Sequence, residues 1–62
     1  MERFVVGDIL VFTKDLGGTL SVHRGDRLRY LGDSSARILD GPSKDWLVWL
    51  EITAPVAIAE TP

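Results

Sequence analysis

The residues able to do chemistry in this chain are few. His23 is the only histidine, and the serines are Ser21, Ser34, Ser35 and Ser43. A hydroxyl nucleophile with an imidazole base can be written from such a set, but no motif activates any member of it. The nine acidic side chains are scattered singly, without the spacing that would gather oxygen ligands around a cation. Cysteine is absent, so there is no thiol nucleophile, thiolate ligand or disulfide. Gly17-Gly18 lacks both the lysine-threonine and the helical pattern of a phosphate-binding loop, and reads as a flexible turn. The sequence therefore predicts a protein that is not an enzyme, with no catalytic residue, metal or cofactor.

Binding chemistry has more to work with. Arg24, Arg27 and Arg29, with His23 beside them and Tyr30 in the same stretch, form a group able to meet phosphates. Alternation puts Tyr30 on the face opposite Arg27 and Arg29, which argues against a base stacking there. The net charge is −2; residues 1–31 carry +1 and residues 32–62 carry −3. No strong basic excess points to nucleic acid. Arg24-Gly25-Asp26 matches an adhesion tripeptide, and the simpler account is a turn whose glycine takes a shape other residues resist.

The elements that would position these groups are short strands. Gly7-Asp8-Ile9-Leu10-Val11-Phe12 and Gly25-Asp26-Arg27-Leu28-Arg29-Tyr30 share a Gly-Asp-x-apolar-x-apolar pattern, eighteen positions apart. Arg27–Leu31 alternates cleanly, as a strand with one wet face does. Ile9–Phe12 is apolar on both faces. Gly32-Asp33-Ser34-Ser35 is a turn cluster, and Ala36–Leu39 is a further short strand. Asp40-Gly41-Pro42-Ser43-Lys44 is either a hairpin or part of a long loop before Trp46; the hairpin supplies a fifth strand. Trp46–Leu50 is a continuous apolar run suited to a buried strand, and Thr53-Ala54-Pro55 ends it. Val56–Ala59 completes a single domain over residues 1–59, with 60–62 a frayed tail.

Leu20-Ser21-Val22-His23-Arg24-Gly25-Asp26-Arg27-Leu28-Arg29-Tyr30-Leu31 resembles the diverging turn and second strand of a Src-homology-3 (SH3) domain. Asp45-Trp46-Leu47 is similar to the acidic-Trp-Trp stretch of that family, and Pro55 to the proline near the end of its peptide groove. Val6–Phe12 resembles the opening of bacterial SH3-like and KOW-type barrels. The resemblance implies an all-β, five-stranded SH3-like barrel. It departs from peptide-binding members at the Ala-Leu-Tyr-Asp-Tyr opening, the acidic loop and the Ser-Asn-Tyr near the end. Those aromatics line the proline-recognition groove, so that mode of binding is not expected.

At the matched positions of the two repeats, Ile9 and Val11 stand where Arg27 and Arg29 do. Trp46, Val48 and Leu50 likewise oppose Leu47 and Trp49, and a barrel this small cannot bury both sets. Surplus apolar surface marks an interface. The expected function is a protein-interaction module, self-association included, with Ile9, Val11 and one of Trp46 or Trp49 as the contact. The alternative is KOW-like RNA or DNA binding through Arg24, Arg27 and Arg29. Without a signal peptide or a long apolar run, a cytoplasmic location is expected and no membrane partner.

Overall fold

The computed structural model describes residues 3–61. Its five strands are β1 (Ile9–Phe12), β2 (Arg27–Gly32), β3 (Ser35–Ile38), β4 (Leu47–Trp49) and β5 (Val56–Glu60). They form one antiparallel sheet in the order β4-β3-β2-β1-β5, so the protein is all-β, with β4 and β5 at the two edges.

β1 and β2 are built on the repeated motif. Gly7 and Gly25 both hold a φ of 96°, which an L side chain rarely adopts. In the first copy the Asp8 amide donates to the Val5 carbonyl, and Asp8 Oδ2 accepts from the Val5 amide, each at 3.0 Å. In the second, the Asp26 amide donates to the His23 carbonyl at 3.0 Å, and Asp26 Oδ2 accepts from the His23 amide at 2.9 Å. Both turns thus close by a backbone bond and a carboxylate bond to the same residue, as an aspartate at the fourth turn position allows. The His23-Arg24-Gly25-Asp26 segment is this turn.

Alternation then sorts the side chains. Leu10, Phe12, Leu28, Tyr30, Ala36 and Ile38 point to one face of the sheet and are buried there. Val22 from the β1–β2 connection, Phe4, Leu50 and Val56 complete the core, and Leu16, Leu20, Val48 and Ala54 pack against it. Phe4 meets the Tyr30 ring edge-on at 5.6 Å. The β1–β2 connection is held over the core by a Leu16–Val22 bridge. It is tied to the β3–β4 turn by buried Ser43, whose Oγ donates to the Ser21 carbonyl (2.8 Å) and accepts from its amide (3.2 Å).

The β2–β3 connection is a two-residue turn with both central residues, Asp33 and Ser34, at positive φ (52° and 62°). That conformation matches the twist of the flanking strands. The segment Asp40–Lys44 is a hairpin: Lys44 N–H donates to the Gly41 carbonyl, and Ile38 N–H to the Trp46 carbonyl. It therefore does supply β4. β5 runs through Glu60, which is the register partner of Ile9, so the expected tail begins one residue later than residue 60. Pro62, the end of that tail, and Met1 and Glu2 lie outside the described residues.

Candidate interaction site

The face of the sheet away from the core carries Ile9, Val11, Arg27, Arg29 and Trp49 of the groups the sequence singled out, and the strand registers arrange them in rows. Glu60 stands beside Ile9, Ile9 beside Arg29, Arg29 beside Arg37, and Arg37 beside Leu47. In the next row Ala57, Val11 and Arg27 are neighbours. Ser35 is paired with Trp49.

Ile9 and Val11 do face away from the core, but both are only half-buried, between β2 and β5. Trp46 and Trp49 lie at the other end of the sheet. Three strand spacings, roughly 14 Å, separate β1 from β4, and two arginine-bearing strands fill the gap. Ile9 and Val11, expected to share a contact with Trp46 or Trp49, therefore lie in a separate cluster from both tryptophans. Of the two clusters, the one with the greater exposure lies at β4 and the residue before it: Trp46, Leu47 and Trp49 are 51, 61 and 76% exposed. Sequence reasoning left open which side of this run is the inner one. The structure turns Val48 and Leu50 inward, with Leu50 in the core. Leu47 and Trp49 take the outer face. Leu47 was not singled out, although it lies within the same apolar run.

β4 is also an edge. Its inner neighbour β3 is reached through the even-numbered residues: Ile38 N–H donates to the Trp46 carbonyl and Leu50 N–H to the Ser34 carbonyl. In an antiparallel ladder hydrogen-bonding direction alternates along the strand, so the N–H and C=O of Leu47 and Trp49 point to the open side. Edge strands are ordinarily blunted by charge or proline, and Trp46–Leu50 contains neither. Beside β4 lies a cleft of about 250 Å³, where Val48 and Leu50 face Leu16, Leu20, Ala54 and Pro55.

The arginines divide in the same way. Arg27 is bound to Asp40, Nε to Oδ2 at 2.7 Å and Nη2 to Oδ1 at 3.2 Å. That hydrogen bond holds the Asp40 carboxyl below the usual carboxylate range and raises Arg27. Arg24 sits in the turn before β2, its amide donating to Asp15 Oδ1 at 2.7 Å, away from the sheet rows. Arg29 faces Arg37 directly, and among the described residues neither has an ionic partner. Arg37 was missed as a candidate, although its place between Ala36 and Ile38 marks it as an outward residue of a strand. Tyr30 is 2% exposed, and its hydroxyl accepts from the Ser34 amide at 2.9 Å, so it offers no stacking surface.

Among the described residues no three His, Asp or Glu side chains are grouped to hold a metal ion. Among these residues no helix is long and apolar enough to cross a membrane. Compared with protein-family models, with curated proteins and with solved structures, the chain matches none.

Proposed function

We propose that this chain is an SH3-like barrel module without catalytic activity, which binds protein through the apolar edge formed by Trp46, Leu47 and Trp49. The order β4-β3-β2-β1-β5 is compatible with that fold. The observation that carries the reading is the coincidence of two costs at β4. Large apolar side chains are left in water, and the backbone groups beside them lack a strand partner among the described residues. A bound protein removes both. Tryptophan is among the residue types that dominate such contacts.

The test is capture from a cell extract by the immobilised chain, compared with a Trp49→Lys variant whose fold is checked by circular dichroism. A retained protein lost with Trp49→Lys supports the reading, and identical capture by both rejects this surface.

A second reading rests on Arg29 facing Arg37. Two guanidinium groups side by side, neither with an ionic partner among the described residues, suit an anionic backbone, which favours KOW-like RNA or DNA binding with Arg37 in place of Arg24 and Arg27. Titration with single- and double-stranded oligonucleotides at low ionic strength decides it. Electrostatic binding is strongest there, so its absence rejects this alternative.

A further inference from the structure

The geometry points to a second copy of this chain as an occupant of the β4 edge, paired strand to strand about a two-fold axis at Val48. This inference rests on the β4 edge being an interaction surface and names its partner.

The strand is self-complementary. When two copies of β4 run antiparallel with Val48 opposite Val48, Leu47 of one falls opposite Trp49 of the other. Leu47 and Trp49 are the residues whose N–H and C=O point to the open side. Each such pair exchanges both of its N–H···O bonds, so the edge is satisfied in the register that the symmetry demands. On the outer face the same register sets Leu47 beside Trp49 of the second copy, the two most exposed side chains of the strand.

The inner face fits as well. Trp46 has the parity of Val48 and Leu50, yet is 51% exposed. In the paired arrangement Trp46 of the second copy lies opposite Leu50, at the cleft of about 250 Å³ that Leu50 lines together with Leu16, Leu20 and Pro55. That space is large enough to take one indole side chain. Two-fold symmetry fills both clefts at once.

The area sets the strength. Trp46, Leu47 and Trp49 leave on the order of 400 Å² of side chain in water. That is about half of the ~800 Å² each partner contributes to a standard interface. The pair is therefore reversible, and its population rises with concentration.

Sedimentation of the purified chain between about 10 µM and about 1 mM is the test, read together with tryptophan emission. The expected result is a rise from monomer to dimer mass, with emission moving to shorter wavelength as Trp46 leaves water. Two variants separate the contributions. Leu47→Pro removes an N–H that faces the open side and leaves the bonds to β3 intact. Trp46→Ala empties the partner's cleft. Each is expected to weaken association at least tenfold.

A wild-type chain that stays monomeric throughout overturns the proposal, as does growth beyond a dimer or a dimer indifferent to Leu47→Pro. Should Leu47→Pro fail to fold, amide exchange in the wild type decides. Protection at Leu47 and Trp49 that increases with concentration supports strand pairing, and constant protection overturns it. A monomeric chain that still captures a protein through Trp49 removes the second copy alone. Absence of both removes the surface.

Discussion

Leu10 of β1 and Leu28 of β2 are direct register partners at the centre of a nearly two-fold strand pair. Each strand follows a Gly-Asp turn and carries an aromatic residue four positions after the aspartate, and each turn grips the other strand's aromatic. Gly7 N–H donates to the Tyr30 carbonyl, and Tyr30 N–H to the Asp8 carbonyl. Gly25 N–H donates to the Phe12 carbonyl, and Phe12 N–H to the Asp26 carbonyl, all at 2.9–3.0 Å. The internal repeat is thus a structural unit folded on itself.

That symmetry predicts matched costs for Leu10→Ala and Leu28→Ala. Both residues are fully buried, and each truncation should destabilise by about 3 kcal/mol, the two agreeing to within about 1 kcal/mol. Urea unfolding midpoints measure this. A chain of this size has little stability to lose, so either variant is expected to be largely unfolded at 37 °C.

Gly41 couples the hairpin to the second Gly-Asp turn. Its φ is +82°, and a Cβ there would run into the Asp26 carboxylate that holds the His23 amide. Gly25 has a similar φ of +96° with open space around it. Gly25→Ala should therefore show only the backbone term, about 1–2 kcal/mol. Gly41→Ala should cost about 1 kcal/mol more, and that excess should vanish when combined with Asp26→Ala in a double-mutant cycle.

Arg29 facing Arg37 is a like-charge cross-strand pair. Replacing one member by the opposite charge, Arg37→Glu, should raise stability by a few tenths to about 1 kcal/mol, an effect that shrinks with added salt. Denaturant midpoints at low and high salt check it. The same variant should weaken any binding of nucleic acid.

The Arg27–Asp40 pair sets a pH dependence. Because the folded-state pKa of Asp40 is lowered, chiefly by the hydrogen bond from Arg27, its contribution is present above the ordinary aspartate range. It is lost as pH falls through the lowered folded value. An NMR titration of Asp40 should give a midpoint below the usual carboxylate range in the wild type, returning toward it in Arg27→Gln. Both groups are exposed, so the accompanying change in stability is small.

Much of the architecture was legible in the chain because its cause is local. Two Gly-Asp turns, the clean alternation of Arg27–Leu31 and the Asp40–Lys44 turn each act over a few residues. The strands and their inner residues Leu10, Phe12, Leu28 and Tyr30 follow from them. The candidate site was less legible, because a run apolar at every position, such as Trp46–Leu50, carries no alternation to say which face is inside. Nor does any local signal say that Arg27 is occupied by Asp40, thirteen residues away, while Arg29 is left against Arg37.

By itself, then, the sequence determined an all-β chain with a repeated turn-strand unit, a shortage of catalytic groups and more apolar surface than a small core can hide. Only the tertiary structure decided where that surplus lies. Strand order puts β1 between β2 and β5, which half-buries Ile9 and Val11, and leaves β4 at an edge, with one side unpaired among the described residues. Strand order is settled by long-range pairing across the whole chain, and the local pattern of Ile9 and Val11 or of Trp46 and Trp49 contains no record of it.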